Sequence, residues 1–581
     1  MGATAVCQKR PSDKGRADNC RNIALAMLGT AFFSFSIPVV LFYFSIPVGI
    51  LTFPLAVIGG ISVPLFIGQG LNLRQTGWIA VVPVLIFLSL LVAGFVYDVS
   101  YDGMRYHQET VVAVCNGWNP LDSSTESVAP RSMWSRHYVK AVEICAAVIS
   151  SFTGRLETGK GIGLILALGA GAGVYGALRE NVGRCLERER LGCVGTDGWS
   201  RLKSFWFTLC IVGNPVVGSQ LFTYYIDFYK YLYLLYVLLG IYYTTSQDNR
   251  ERLQGMVMLF FTLVLAMSTK FNFFFEAGLW MVLAFIWTAI KGKFEELKRL
   301  FWVSVVALAV GTLLCYDPYI TNWINEGHPL YPLMGAGAID IMTYNTPEQY
   351  IGSNRFVNFF SSLLAVAQPY IDQRSGGFTI FMPAILLLSL YIGWRLRRRL
   401  SGVVWYIAIC TLVSCFIFEQ SWWARYICQL WLIGAVFLVA SQMRDRIAGK
   451  AGYVMSVFMF LAGGWALARG VYISVFDGYY IKSLMETAKT ERVEVVGFCE
   501  PQMKKHLDEY GVDYVFADSI PAGSREKAFY YFYNTHPFLI LSDAQKEALE
   551  ERMAEIGKTT EKLTYSHETE EIIRPYEEDF Q

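Results

Sequence analysis

The sequence predicts an all-α polytopic membrane protein of about thirteen transmembrane helices, followed by a small α/β domain. Three observations predict it. The 581 residues are 54% hydrophobic and 15% aromatic but only 17% charged, where a soluble chain carries about a quarter charged residues. Apolar stretches able to cross ~30 Å of hydrocarbon recur from Asn22 to Ser474. After Phe476 the chain turns polar and takes on short strand-like and helix-like segments.

The N-terminal segment 1–21 is basic, with Lys9, Arg10, Lys14, Arg16 and Arg21. It is not a signal peptide, because the apolar run behind it outlasts a signal core of about 7–15 residues and leads into a second run. The first two expected spans, Asn22–Tyr43 and Ile46–Ile67, make an accessory hairpin within 22–76. The core, 77–475, continues with Gly77–Tyr97, Gly161–Leu178, Leu202–Phe222, Phe228–Thr245, Gly255–Met267, Ala277–Ile290 and Leu300–Tyr316. Phe378–Trp394, Gly402–Phe418, Ile427–Ala440 and Ala451–Val475 complete it.

The short apolar stretch Tyr138–Ser151 decides the topology. As a span it would turn the loop with Arg179, Arg184, Arg188, Arg190, Arg201 and Lys203 outward, against the positive-inside rule. Read as a surface segment, it leaves that loop inside with "DNRER", "KGKFEELKR", "RLRRR" and "RDRIAGK". The chain then begins in the cytoplasm and ends outside. Asp98–Lys160, Asn214–Asp227, Asp317–Gly376 and Glu419–Arg425 gather on the outer face with the turn at Lys270, the long outer loops being 98–160 and 317–376.

In the tail, 476–581, "ERVEVVGFC", "PQMKKHLDEYG" and "VDYVFADS" read as strand, helix and strand, and Asp543–Lys558 as a further helix. This is an extracytoplasmic α/β domain. The twelve cysteines contain no CxxC pair, and Cys185 and Cys193 share a basic loop without a histidine, so neither reads as a zinc ligand.

Chemistry concentrates where apolar runs end. In "YDVSYDGMRYHQETVVAV", Asp98 closes a span, where a carboxylate opposes the helix dipole and needs a partner or water. Such an edge also tunes a carboxylate for proton transfer. Asp102 lies four residues on, with Tyr106 four beyond it and His107 adjacent. The plainer reading of Asp102 is a helix N-cap, and that of His107 is a structural histidine. Asp227 and Lys270 read either as boundary residues of the interfacial belt, the lysine snorkelling, or as site residues. "CYDPYITNWINEGHPLYPLMG" brings Asp317, Asn322, Glu326, His328 and Tyr331 among aromatic rings, a composition suited to sugars and equally to an ordered loop. In "FEQSWWARYICQLW", Arg425 runs against the positive-inside bias, and a guanidinium suits a bidentate grip on phosphate.

Together "YDVSYDGMRYHQE…NGWNP", "HYVKAVEICAAVISSFTGRLETGK", "NPVVGSQLFTYYID", "TKFN", "DPYITNWINEGHPLYPLMG" and "WWARY" resemble the C-type (GT-C) multispan glycosyltransferases of bacteria over Gly77–Val475. The resemblance implies a GT-C-like catalytic core in the bacterial inner membrane, with Asp98 or Asp102 as general base of an inverting sugar transfer. The two acids stand apart rather than adjacent, and the hairpin 22–76 is extra. The implied donor is a polyprenyl-phosphate-linked sugar, gripped by Arg425 first and Lys270 second. The acceptor is a glycan, lipid or protein. Tyr106, His107, Asp227, Asp317, Asn322, His328 and Tyr331 are then candidates for holding sugar or acceptor. No metal site is expected and no cofactor is required, though a divalent cation has room. No nucleic acid is involved, and no Gly-rich dinucleotide turn points to a nucleotide sugar.

Two rivals share parts of this pattern. A flippase of lipid-linked saccharides would show repeats and ionisable groups near the bilayer midplane; a polysaccharide polymerase or ligase would use the same donor. The spatial expectation is that Asp98 and Arg425 meet at the mouth of one cavity.

Overall fold

The computed structural model describes residues 11–68, 77–189, 196–340, 345–417, 419–442, 445–496, 501–521, 523–532, 535–560 and 564. Lys9 and Arg10 of the basic segment, Arg190 and Cys193 lie outside them, as do the side chains of Lys14, Arg16, Arg184, Cys185 and Arg188. All thirteen expected spans contain helix. Among the described residues seven helices are long and apolar enough to cross a membrane: Ala17–Phe42, Gly77–Phe95, Leu156–Glu180, Asn249–Thr269, Phe271–Ile290, Phe294–Leu314 and Arg446–Ala488.

Seven of the thirteen expected spans therefore hold a helix long and apolar enough to cross. Thr52–Ile67, Met382–Leu396, Gly402–Ser414 and Cys428–Ala440 are apolar but shorter. At about 1.5 Å per residue a 16-residue helix covers ~24 Å, short of the hydrocarbon layer. The expected span 202–222 ends early: the helix Thr196–Val212 stops before Asn214, which caps the six-residue helix Pro215–Gln220. Asn214 accepts from Val216 N and donates to Cys428 O. The long helices carry outward apolar faces, such as Phe301, Trp302, Val305 and Leu308 on Phe294–Leu314. Such faces fit a lipid bilayer and not water.

Close backbone approach holds helices together where small residues meet. A Cβ on Gly60 would collide with Ala26 O and Thr30, so Thr52–Ile67 lies directly on the first helix; one on Gly463 would collide with the Gly213 backbone. The stretch Tyr138–Ser151, expected not to span the membrane, forms a short helix packed inside the protein. Its helix Ala141–Thr153 buries every residue from Ala141 to Ser150, and Cys145 donates to Ala31 O of the first helix.

The tail has the predicted strand–helix–strand order and a β-hairpin besides. β1 (Val493–Val496) pairs parallel with β2 (Tyr514–Ala517) and antiparallel with β4 (Thr535–Ile540), which pairs with β3 (Ala528–Phe532). The helices Pro501–Tyr510 and Asp543–Glu555 accompany this mixed sheet, ordered β2-β1-β4-β3. The last long helix runs across the expected boundary at 475/476, and its final part, Gly478–Ala488, buries Tyr480, Ile481, Leu484 and Met485 in the tail core.

Candidate active site

Segments from the loops expected on the outer face meet at one end of the helix set. Segment 98–107 reaches it from the end of Gly77–Phe95, Asp227 from the start of Tyr229–Thr244, Lys270 from the link between Asn249–Thr269 and Phe271–Ile290, and Arg425 from the turn after Gly402–Ser414. Buried Gln220 ties the start of Tyr229–Thr244 to a further loop, the one that carries Ile371 and Asp372: its Nε2 donates to Ile371 O and its Oε1 accepts from Phe228 N. It thereby fixes the neighbours of both Asp227 and Asp372.

Arg425 is the hub. Its Nη1 lies 3.2 Å from Asp102 Oδ2 and 3.4 Å from Asp227 Oδ2, and its Nε lies 3.4 Å from Asp372 Oδ1. The guanidinium stacks on the Trp423 ring at 3.9 Å, and Trp423 stacks in turn on Trp422 and Trp422 on Tyr350. This aromatic wall stiffens the arginine in a way a snorkelling side chain is not. Lys270 Nζ sits 2.6 Å from Asp227 Oδ1, and Arg374 lies 3.6 Å from Asp372. Asp102, Asp372, Arg425 and Lys270 each keep about an eighth to a fifth of their side-chain surface exposed, while Asp227 keeps 2%. Burial pushes the Asp227 carboxyl up, but Lys270 and Arg425 outweigh it and hold the group below its ordinary value. Burial pushes Asp372 up to about 6, against the opposing Arg425.

Asp98 does something else. It is 1% exposed; Oδ1 accepts from Ser100 N at 2.8 Å and Oδ2 from Tyr224 N at 2.9 Å. Its own N–H donates to Glu157 Oε2. Burial, then the neighbouring Glu157, raise its carboxyl to about 6. The expected meeting of Asp98 with Arg425 is thus corrected: Arg425 meets Asp102, and Asp98 folds the loop that presents it. Gly103 is required there, since a Cβ would run into Asp98 Oδ2 and Ser100. Nor is Asp102 an N-cap in hydrogen-bonding terms, as its side chain accepts no helix N–H. It precedes a π-helical turn, Gly103–His107, of the kind that re-aims side chains at functional sites.

The other candidates divide in two. Tyr106 and His107 lie on that π turn with rings 4.3 Å apart, and His107 Nδ1 is 2.6 Å from Glu143 Oε1 of the enclosed helix Ala141–Thr153. Asp317, Asn322 and Tyr331 gather around residues 137–140, beside Tyr138, which itself faces Asp102, Asp227 and Arg425. Asp317 pairs with Lys140 at 2.6 Å, and Asn322 bonds to His137 and to Tyr331 O. His328 Nδ1 accepts from Leu330 N. These contacts order the loop.

Sequence reasoning missed Asp372, Lys140 and Glu143. "PYIDQRSGG" carries Asp372 in a loop with no mark that separates it from any polar turn. Among the described residues no group of three or more His, Cys, Asp or Glu is disposed to hold a metal ion. The guanidinium of Arg425 sits among the three carboxylates. Comparison with protein-family models, with curated proteins and with solved structures finds no match for this chain.

Proposed function

We propose that the protein is an inverting membrane glycosyltransferase that moves a sugar from a polyprenyl-phosphate-linked donor to an acceptor hydroxyl on the extracytoplasmic side. Asp102 is the general base. The single observation that carries this reading is the direct contact of a part-exposed carboxylate, Asp102, with a part-exposed guanidinium, Arg425, backed by Lys270.

The contact gives the reaction its charge balance. Asp102, Asp227 and Asp372 face Arg425, Lys270 and Arg374, so the ionised groups cancel at rest. The acceptor hydroxyl gives its proton to Asp102 as its oxygen bonds to the anomeric carbon. The bond from that carbon to the phosphate oxygen breaks with its electron pair on the phosphate. Protonating Asp102 removes one negative charge beside Arg425 as the leaving phosphate acquires one. The guanidinium, held on Trp423, is already in position to receive it.

The test is sugar transfer in reconstituted vesicles from a labelled polyprenyl-phosphate sugar to added acceptor glycan. Transfer by the wild-type chain that is lost in Asp102→Asn supports the reading. Movement of the lipid-linked saccharide across the vesicle with no transfer would replace it with a flippase.

A further inference from the structure

The tail domain is built into the loop that carries the base. Tyr97 and Met104, which bracket Asp98–Asp102, are both buried in the apolar core of the tail, with Leu484, Leu507, Phe529 and Leu539. One face of the tail helix Pro501–Tyr510 makes the polar contacts, at positions 502, 506, 509 and 510, which helical spacing brings together. Gln502 Nε2 donates to Met104 O, in the π turn just after Asp102. The Tyr510 hydroxyl pairs with that of Tyr97. Glu509 Oε1 accepts from Leu156 N at 2.7 Å, and His506 Nε2 lies 3.4 Å from Glu157 Oε1.

Glu157 passes the contact inward. It pairs with Lys160, which donates to Val96 O, and its Oε2 accepts from Asp98 N at 3.1 Å. Gln502, His506, Glu157 and Lys160 are at most 2% exposed. Sealing that many polar groups into one seam costs stability unless each is partnered. Apolar residues would have sufficed to attach a passive domain. A polar seam instead fixes one register, and the register it fixes is that of 96–104.

We infer that the C-terminal domain is a positioning element of the active site, in which Gln502 and His506 hold the loop that sets Asp102 against Arg425. This rests on the reading of Asp102 as the base only for its catalytic consequence; the mechanical coupling stands apart from it.

The experiment uses the full chain in detergent or vesicles with Gln502→Met, which keeps the side chain's bulk and removes the donor, and His506→Ala with His506→Gln as its conservative counterpart. Hydrogen exchange over residues 97–108 is read first, without substrate. Faster exchange there in Gln502→Met and His506→Ala, partly restored in His506→Gln, is expected. Steady-state transfer should then show kcat lowered by up to about 100-fold, as small misplacements of a catalytic group do, with the donor KM unchanged. A merely structural tail would lower the amount of active protein and leave exchange at 97–108 and kcat per active molecule as in wild type. That result overturns the inference. Should the two variants fail to fold, Tyr510→Phe deletes only the hydroxyl facing Tyr97, and unchanged exchange at 97–108 in that variant also overturns it. A wild-type chain that shows the coupling but no sugar transfer would remove the enzymatic reading and leave the coupling in place.

Discussion

Asp102 and Arg425 stand 323 positions apart and meet at 3.2 Å, whereas Asp98, four residues before Asp102, spends both oxygens on backbone amides. The same short segment therefore holds one carboxylate available to a substrate and one that builds the loop. That difference separates the first two predictions.

Asp102→Asn keeps size and hydrogen bonding and removes the base. It should lower sugar transfer by about 10²–10⁴-fold. The pair it disrupts is largely enclosed, but Arg425 keeps Asp227 and Asp372, so the loss is that of one charge-assisted bond, about 1.5–3 kcal/mol, and the variant should still fold with a lowered melting temperature. Transfer and thermal unfolding measured on one preparation check both statements, and full activity in a well-folded variant would sink the assignment.

Asp98→Asn should act on stability first. An asparagine offers one acceptor oxygen where Ser100 N and Tyr224 N now use two, and its amide nitrogen would face an N–H. An orphaned buried donor costs about 1–3 kcal/mol. The expected outcome is a lower unfolding midpoint with activity reduced in proportion to folded protein. A variant as stable as wild type that has lost transfer would return the role of base to Asp98.

Arg425 is tested by a swap that keeps its charge. Lysine cannot bridge Asp102, Asp227 and Asp372 at once, nor lie flat on Trp423. Losing one charge-assisted bond costs about 1.5–3 kcal/mol, so Arg425→Lys should weaken donor binding roughly 10- to 100-fold. Arg425→Ala is the harsher change. It strips an ionised partner from Asp227, a buried group, and removal of one partner from such a pair costs about 3–5 kcal/mol. Donor KM in the lysine variant, alongside unfolding of the alanine variant, checks the pair; an unchanged KM would remove Arg425 from donor binding.

The helices were legible because hydropathy is a local property, readable from each run by itself. Which runs form helices long enough to cross a bilayer was not, since Asn214 stops a helix by capping the next one and Gly402–Ser414 closes after 13 residues. The tail strands were legible in β1 and β2, whose apolar residues flank an evident helix, while Gly478–Ala488 hid as the continuation of a membrane helix. At the site, the residue types were visible and the pairings were not. Lys270 looked unpartnered because Asp227 lies 43 positions away. Asp98 and Asp102 looked interchangeable because the amides that claim Asp98 include Tyr224 N, which no local pattern connects to it. Asp372 had no local signal at all.

The last prediction concerns pH. Asp372 faces Arg425, Asp102, Arg374 and Asp227, and burial has raised its carboxyl to about 6. Raising a carboxyl's pKa in the folded state disfavours its charged form, so the cost is full above about 6 and falls away as the group takes a proton. A phosphodiester donor keeps one negative charge throughout this range. It competes with the ionised Asp372 for Arg425 and not with the neutral acid. Donor binding should therefore take up protons and tighten as pH falls through about 6, by linkage of the two equilibria. Asp372→Asn, fixed in the uncharged form, should bind the donor about as well at pH 7 as wild type does at low pH, with little slope between. Donor affinity measured from pH 5 to pH 8 in both chains decides it: a wild-type curve that is flat, or a slope that persists in Asp372→Asn, would show that Asp372 does not compete with the phosphate.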